Sequence, residues 1–328
     1  MKRELDGHKV AQINPDLTSV MDLTKAQTLA ENCGIAFIGT QKGGAFDISY
    51  EQAEAFLRQT GNPSQRPNSD VIHPWINGKD ITGNPRNMWI IDFGVDATEE
   101  TASLYESPFE YIKTRVKRQR EEVNSEQNTT TKWWLFQRPR PEMREALNGL
   151  TRYIATPRVS KHRLFVWVKS ETITDSAAVT IARSDDYCFG VLHSKPHELW
   201  ALRQGTSLED RPRYTPTTCF ETFPFPWAPG TEPAEDADAR VAAIAEAARE
   251  LVAKRDAWLN PPGASEAELK KRTLTTLYNQ RPTWLTQAHA RLDRAVFEAY
   301  GWGDGLSDEE ILERLLALNL ERAGVGRR

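Results

Sequence analysis

Hydrophobic residues follow two different patterns along the chain and divide it into two kinds of region. Between residues 35 and 227, short apolar runs rich in β-branched and aromatic residues alternate with turns rich in Gly, Pro, Asn and Asp, which is typical of strands mixed with helices. After residue 238 the apolar residues recur every three or four positions, as in Val241, Ile244 and Ala248. The pattern predicts an α+β fold, in which a mixed α/β domain precedes a small all-α helical domain.

Individual elements follow from the same pattern. Ser49, Ser107 and Ser307 are predicted helix N-caps, because each precedes apolar residues at helical spacing. A short helix is expected near residues 23–32, and residues 62–85, rich in Pro, Asn and Gly, are expected to be mostly loop. Strands are predicted at residues 35–38, 88–93, 132–136, 153–155, 164–169, 178–182 and 188–193.

The predicted elements group into four segments. Residues 1–34 form a mostly polar lead-in, and residues 35–227 form the mixed domain, which ends in a proline-rich stretch. Residues 228–238 are rich in Ala, Pro, Glu and Asp and are a predicted linker. Residues 239–328 form the helical C-terminal domain.

Composition narrows the class of protein. The 328 residues carry a net charge of −4, a mean hydropathy of −0.59 and three cysteines. No apolar run reaches the roughly 18 residues that cross a bilayer, and no apolar segment follows the charged N-terminus. We therefore expect a cytoplasmic protein that has neither a disulfide framework nor a membrane partner.

Positive charge is concentrated in the middle of the chain. From residue 113 to residue 163, Lys and Arg outnumber Asp and Glu by 13 to 5. Lys113, Lys117 and Arg120 share one face of a predicted helix, where they would either contact DNA phosphates or form a solvated basic face. The neighbouring pair Trp133 and Trp134 is expected to belong to the core rather than to a stacking platform.

A second basic cluster, made of Arg158, Lys161, His162 and Arg163, comes directly before an apolar predicted strand. Cations at a strand edge can enter a groove of DNA or bind its phosphates. We therefore predict that these four residues contact the DNA backbone or groove.

Glu209 and Arg211 could read base edges. A glutamate can accept a hydrogen bond from cytosine N4, and an arginine can pair with O6 and N7 of guanine. Surface Glu–Arg pairs are common, so an ordinary exposed ion pair is the alternative.

Motifs that would support catalysis or bind a cofactor are weak. Residues 260–263 (NPPG) lack the aromatic fourth residue that stacks on a flipped base, so a helix–helix turn is expected there. Residues 39–44 match neither the dinucleotide nor the P-loop pattern and are expected to form a tight turn. His193 and His197 are four apart, but Pro196 lies between them and no third ligand is evident. The sequence therefore predicts no catalytic, cofactor-binding or metal-binding residues in this chain.

Several short motifs, taken in order, resemble the C-terminal half of MmeI-like (type IIL) restriction–modification enzymes and related single-chain adenine-specific DNA methyltransferases. The resemblance extends from about residue 13 to residue 323, and the order of the motifs is more specific than any one of them. The motifs are residues 13–18 (INPDLT), 37–44 (FIGTQKGG), 89–94 (WIIDFG), 153–163 (YIATPRVSKHR), 184–190 (SDDYCFG), 192–194 (LHS), 213–215 (RYT), 221–226 (ETFPFP), 277–285 (LYNQRPTWL) and 299–302 (AYGW).

The resemblance implies that residues 35–227 are a DNA target-recognition domain and that residues 1–34 lead in from a missing methyltransferase domain. In that family the methyltransferase uses S-adenosylmethionine to methylate adenine N6, and a nuclease domain precedes it. The implied partners are double-stranded DNA and this methyltransferase, with or without the nuclease. S-adenosylmethionine is implied for the partner domain, and no cofactor is expected in this chain.

The resemblance also implies which residues read bases. Glu209 and Arg211 match a Glu-x-Arg pair that contributes to sequence specificity in the family. A further specificity position is expected at Asp175 or Ser176, before the predicted strand at residues 178–182. The alternatives are a truncated, non-functional remnant of such an enzyme and a stand-alone DNA-binding protein.

Overall fold

The computed structural model describes residues 4–5, 8–9, 22–122, 132–208 and 211–325. Its strands are, in chain order, β1 (Glu4–Leu5), β2 (His8–Lys9), β3 (Ala36–Ile38), β4 (Asp47–Ile48), β5 (Ile72–Ile76), β6 (Met88–Ile91), β7 (Arg152–Pro157), β8 (Val166–Lys169), β9 (Ile173–Thr174), β10 (Ala178–Ile181), β11 (Thr206–Leu208) and β12 (Arg211–Arg213). The α-helices of the described residues are α1 (Tyr50–Leu57), α2 (Gly78–Thr82), α3 (Glu99–Ser103), α4 (Glu106–Ile112), α5 (Arg118–Glu122), α6 (Pro141–Leu147), α7 (Asp186–His193), α8 (Lys195–Gln204), α9 (Ala239–Leu259), α10 (Glu266–Leu269), α11 (Leu274–Gln280), α12 (Thr283–Tyr300) and α13 (Asp308–Val325). The predicted α+β class, with helices alone after residue 238, is confirmed.

Two four-stranded sheets form among the described residues. One has the strand order β3-β10-β7-β8 and the other has the order β4-β6-β5-β9. In the first sheet, β7 pairs antiparallel with both β8 and β10. In the second, β6 pairs antiparallel with β4 and β5, whereas β9 runs parallel to β5. Because β9 and β10 are consecutive, the turn between them connects the two sheets.

The chain folds into two compact units that do not follow its linear order. Unit 1 consists of residues 1–36, 159–165 and 184–328, and unit 2 consists of residues 37–158 and 166–183. Both four-stranded sheets lie in unit 2, apart from the first residue of β3. Packing thus groups residues 184–227 with the C-terminal helices, while the predicted domain boundary near residue 227 stays a prediction.

Aromatic residues fill the core of unit 2. Phe46 and Phe136 meet edge to face with ring centroids 5.1 Å apart, and Trp133 packs against Phe109 at 5.3 Å. Trp133 and Trp134 are 4% and 7% exposed, which confirms that they belong to the core.

Close helix packing and buried polar groups hold unit 1 together. Gly190 of α7 lets α9 approach, since a Cβ at this position would lie 2.7 Å from Cγ2 of Ile244. Asn319 of α13 is fully buried and donates to the carbonyls of Gln27 and Thr222 at 2.8 and 2.7 Å. The lead-in segment and the last helix therefore belong to one folded body.

Two predicted strands are wrong. Residues 188–193 lie in helix α7, whose start is fixed because the Asp185 carboxylate accepts the Cys188 N–H at 2.7 Å. This helix is buried on all sides, so its apolar run has no polar face to distinguish it from a buried strand. Residues 132–136 form a turn. The carbonyls of Lys132 and Leu135 accept hydrogen bonds from the Arg120 side chain instead of from a neighbouring strand.

Two of the three predicted helix N-caps are confirmed and one is wrong. Ser49 accepts the Gln52 N–H, and Ser307 and Glu310 form the predicted reciprocal cap. Ser107 does not cap a helix, because α4 already begins at Glu106. Its neighbour Pro108 falls within the first turn, where an N–H has no partner inside the helix.

Two other segments differ from the prediction. Residues 62–85 contain strand β5 and helix α2 besides loop, because Ile72 and Trp75 supply buried apolar anchors within the polar sequence. The expected helix near residues 23–32 is reduced to two single 3₁₀ turns, at Leu23–Lys25 and Ala30–Asn32.

Candidate nucleic-acid interface

A sharp turn between β9 and β10 in unit 2 carries two of the predicted base readers, Asp175 and Ser176. The Asp175 N–H donates to the Ile76 carbonyl at 2.8 Å, and its carboxylate accepts the Ala177 N–H at 2.8 Å. Thr174, which enters the turn, and Thr180 of β10, which follows it, have buried hydroxyls 2.6 Å apart. Both predicted readers are half-exposed, so the turn is fixed by its backbone while its polar side chains reach solvent.

Two glycines let neighbouring backbone approach this turn closely. A Cβ at Gly39 would lie 2.3 Å from the Asp175 carbonyl oxygen, and a Cβ at Gly78 would lie 2.9 Å from the Ala177 carbonyl oxygen. Neither position accommodates a larger side chain without movement of the turn. Gly39, in the glycine-rich segment at residues 39–44, therefore supports the turn by close approach.

Arg158 holds the turn through two hydrogen bonds. Its backbone N–H donates to the Ala177 carbonyl at 2.8 Å, and its Nη1 donates to the Ser176 carbonyl at 3.1 Å. The structure thus brings Arg158, predicted as a groove contact, together with Asp175 and Ser176. We name residues 174–177, with their supports Gly39, Gly78 and Arg158, the braced turn.

The prediction that Arg120 shares a basic helical face with Lys113 and Lys117 is wrong. This residue is 4% exposed, and its guanidinium donates to backbone carbonyls that include Gly43 and Leu135 at 3.1 and 3.0 Å. The cause lies in residues 113–117, which form a π-helical turn. A π-turn takes more residues than an α-turn and rotates those that follow it, so the Arg120 side chain points into the interior of unit 2. Burial lowers the pKa of this guanidinium.

Lys113 and Lys117 both reach solvent, Lys113 more than Lys117. Lys113 is exposed and pairs with Glu110 at 2.7 Å, while the half-buried Lys117 lies over the Trp133 ring at 5.5 Å. Lys113 is the better placed of the two for a phosphate contact.

The basic cluster of residues 158–163 is split between the two units. In unit 1, Arg163 is 8% exposed, donates to the Pro212 carbonyl at 3.2 Å and lies over the Tyr214 ring at 5.0 Å. Burial lowers its pKa. The prediction that Arg163 contacts DNA is therefore wrong, because its side chain holds strand β12 to the segment before β8.

Lys161 and His162 remain on the surface of unit 1, where they converge on one side chain of helix α11. Lys161 Nζ lies 2.7 Å from Asn279 Oδ1, and His162 Nε2 lies 2.9 Å from the same oxygen. The His162 ring also lies beside the Tyr278 ring, with centroids 5.9 Å apart. The cationic loop is thus oriented by a helix of the C-terminal region.

Arg211 begins strand β12, which pairs antiparallel with β11 so that Leu208 is opposite Arg211. Arg211 is exposed, in agreement with a residue that could reach a partner. Its predicted companion Glu209 lies outside the described residues, so the pair stays a prediction.

His193 and His197 are buried hydrogen-bonding groups of unit 1. His193 Nε2 accepts from the Phe165 N–H at 3.2 Å and from the guanidinium of the buried Arg255 at 2.9 Å, while Nδ1 donates to the Phe189 carbonyl at 3.2 Å. His197 bonds the Leu192 carbonyl through Nδ1 at 2.9 Å. Burial is the main cause that lowers both pKa values, that of His197 to about 3, so both rings are neutral.

The other weak motifs have structural roles. Residues 260–263 connect α9 to α10, and Gly263 adopts a left-handed φ of 75°. Within the described ranges, no group of three or more His, Cys, Asp or Glu side chains could hold a metal ion. None of the described helices has the length and apolar character that a membrane-spanning segment needs.

Some residues that organise the site carry no strong sequence signal. Gly78, Asn279 and Arg255 act through close approach or through partners far away in the chain. Gly39 lies within the conspicuous stretch at residues 39–44, but only the structure relates it to Asp175. A fixed turn with half-exposed polar side chains, carried by an α+β domain, is typical of a recognition module.

Comparison with known proteins identifies the family to which this recognition module belongs. The chain belongs to the MmeI target-recognition domain family, whose model matches residues 38–227. The match covers both four-stranded sheets apart from the first residues of β3, and it includes the braced turn.

Two relatives extend the comparison. DNA methyltransferase A of Bacillus subtilis (strain 168) is 31% identical over 174 residues, which are 51% of this chain and 18% of that protein. A solved structure of the type IIL restriction–modification enzyme MmeI in complex with DNA matches with a TM-score of 0.71 and 20% identity, over 97% of this chain and 39% of that one. The chain thus spans less than a fifth of the methyltransferase and about two fifths of the MmeI chain.

Proposed function

We propose that this chain recognises a short sequence in double-stranded DNA, as the target-recognition part of a site-specific adenine-N6 DNA methyltransferase of a restriction–modification system. The braced turn is the observation that carries the proposal. It presents Asp175 and Ser176 on a backbone that close contacts hold in place, as base readout requires, because a reader must keep its distance to a base edge within a few tenths of an ångström.

The proposed readers divide between the two units. In unit 2, Asp175 can accept a hydrogen bond from a base amine and Ser176 can donate or accept. In unit 1, Arg211 begins strand β12, where it would pair with a guanine, and its predicted companion Glu209 would read a neighbouring base. Lys113, Lys117 and Lys161 would contact phosphates, and Arg158 would act mainly by holding the turn.

The methylation step belongs to a partner domain or subunit in this proposal. That partner would bind S-adenosylmethionine and take the flipped adenine, and a nuclease can accompany it. Membership of the MmeI target-recognition family and the likeness to a DNA methyltransferase support this assignment. Because the substrate is chromosomal or invading DNA, we place the protein in the cytoplasm.

The direct test is binding of the full chain to duplex DNA of random sequence at about 0.05 and 0.2 M salt, with S-adenosylmethionine binding measured alongside. Each neutralised phosphate should contribute roughly −0.9 to the slope of log affinity against log salt. We expect salt-dependent DNA binding. A folded chain that fails to bind duplex DNA at the lower salt would instead be a non-functional remnant, and tight binding of S-adenosylmethionine by this chain alone would contradict the division of labour.

A further inference from the structure

A cluster of hydrogen-bond donors lies on unit 1, where the loop before β8 meets helix α11. Lys161 Nζ and His162 Nε2 both reach Asn279 Oδ1, at 2.7 and 2.9 Å. Lys161 and Asn279 are exposed and His162 is half-exposed. The loop and the helix are 117 residues apart in sequence at this contact.

The chemistry of the contact fixes the orientation of the amide. A lysine ammonium can only donate, so the Asn279 oxygen, not its nitrogen, must face Lys161. His162 must then donate from Nε2 to the same oxygen. The amide nitrogen consequently points away from both partners, and among the described residues it has no hydrogen-bond acceptor. The contact thus leaves the amide nitrogen of Asn279 and the remaining ammonium hydrogens of Lys161 as donors for a partner.

Arg281 adds a fourth donor next to the cluster. It caps the C-terminal end of α11 in a left-handed conformation, with φ 42°, and Pro282 then caps α12. A non-glycine residue with positive φ is strained by roughly 1 kcal/mol, and such strain is often retained for a purpose. The side chain of Arg281 is exposed at the corner between the two helices.

Arg281 follows Asn279 by two residues, at the C-terminal end of the same helix. Burial raises the pKa of the Glu198 carboxyl, whereas the charges of Arg281 and His162 act against this rise. Arg281 and His162 thus act on the same carboxylate, together with the opposing charge of Asp308. The loop and the helix corner carry three basic side chains, Lys161, His162 and Arg281, beside this acidic group.

We propose that Lys161, His162, Asn279 and Arg281 form a single phosphodiester-binding site, through which the C-terminal helices contribute to the DNA interface. The inference rests on the proposed function and adds the helical region to it. Ammonium, imidazole and amide groups that meet at one contact, with a guanidinium two residues further along the chain, suit a phosphate, which accepts several hydrogen bonds at once. Such a contact carries no sequence information, so it would position the duplex and leave base selection to the readers.

Two variants test the site, and a third variant, with the same loss of charge elsewhere in unit 1, serves as the control. Asn279→Asp keeps an oxygen for Lys161 and His162, so the loop should stay in place, but it puts a negative charge where the phosphate would lie. Arg281→Ala removes one cation, and Arg314→Ala, an exposed arginine of α13 in the same unit, is its control. Thermal unfolding of each variant checks that it is folded.

Binding to random duplex DNA is measured across a salt series. Arg281→Ala should bind roughly three- to tenfold more weakly near 0.1 M salt and lose about 0.9 from the salt slope. Asn279→Asp should weaken binding at least as much, and Arg314→Ala should match the wild type. If the wild type binds DNA and both test variants bind equally well with an unchanged slope, this site is wrong and the proposed function stands. If the folded wild type binds no duplex DNA, the proposed function itself fails, and this inference fails with it.

Discussion

The two units hold their candidate recognition residues by different means. In unit 2, the braced turn is fixed by backbone contacts, with Gly39 and Gly78 beside the carbonyls of Asp175 and Ala177. In unit 1, the segment before β8 is fixed by side chains, since Arg163 bonds Pro212 and the buried Arg255 bonds both His193 and the Phe165 carbonyl at 3.0 Å. Backbone support leaves the side chains of Asp175 and Ser176 half-exposed, although one Asp175 oxygen accepts the Ala177 N–H. Side-chain support in unit 1 uses the guanidinium groups of Arg163 and Arg255 for internal hydrogen bonds.

The largest effect is expected from removing the buried arginine of unit 1. Arg255→Met should destabilise the protein by roughly 3–5 kcal/mol, because a buried hydrogen-bonded partner is lost and the Phe165 carbonyl loses a donor. The control is Arg291→Met, since Arg291 is exposed and pairs on the surface with Glu246 at 2.6 Å and with Glu250, where an ion pair contributes about 1 kcal/mol or less. Denaturant unfolding measures both. Equal losses would show that side-chain support in unit 1 is not centred on Arg255.

Acid should destabilise unit 1, because its buried histidines are neutral in the folded protein and take up protons on unfolding. Burial lowers the pKa of His197 to about 3 and, with the charge of Arg255, that of His289 to about 4. Both take up a proton on unfolding once the pH falls below about 6.5, so stability declines from there towards pH 4. At pH 5 the two together cost roughly 4 kcal/mol. Burial raises the pKa of Asp293 to about 6, which acts in the opposite direction and offsets about 1 kcal/mol at that pH.

Unfolding at pH 7, 6 and 5 measures this dependence. A His289→Gln variant should show a shallower decline than the wild type, because it lacks one of the titrating rings. A stability that stays level from pH 7 to pH 5 would contradict the neutral, buried state of these histidines.

A smaller effect on stability, but a selective one on function, is expected in unit 2. Gly39→Ala should cost about 1–3 kcal/mol, because its Cβ forces the Asp175 carbonyl to move. Gly303→Ala is the control, since a Cβ there meets no atom within 4 Å. DNA binding by the folded Gly39→Ala protein should lose preference for any sequence while keeping its salt dependence. Unchanged preference would mean that the turn is not held by this contact.

Sequence reasoning succeeded where a residue acts through its neighbours in the chain. Ser49 and Ser307 cap their helices as predicted, and the α+β class follows from local periodicity. It failed at Arg120, because a π-turn changed the helical phase, and at Arg163, whose exposure depends on strand β12 nearly fifty residues away. Charge alone does not reveal whether a cation is buried against carbonyls or faces solvent. Gly78 and Asn279 could not be selected, since their partners are brought close only by the folded chain.

The central claim, that the braced turn reads bases, is tested most directly by selecting bound sites from a pool of randomised duplex DNA. The wild type and Lys113→Ala should enrich the same short motif, because a phosphate contact positions without specifying. Asp175→Asn, which keeps an acceptor for the Ala177 N–H, should relax or change one base position in that motif at a discrimination of roughly 1–3 kcal/mol. If Asp175→Asn and a Ser176→Ala variant both enrich the wild-type motif unchanged, the turn does not read DNA and the account is contradicted.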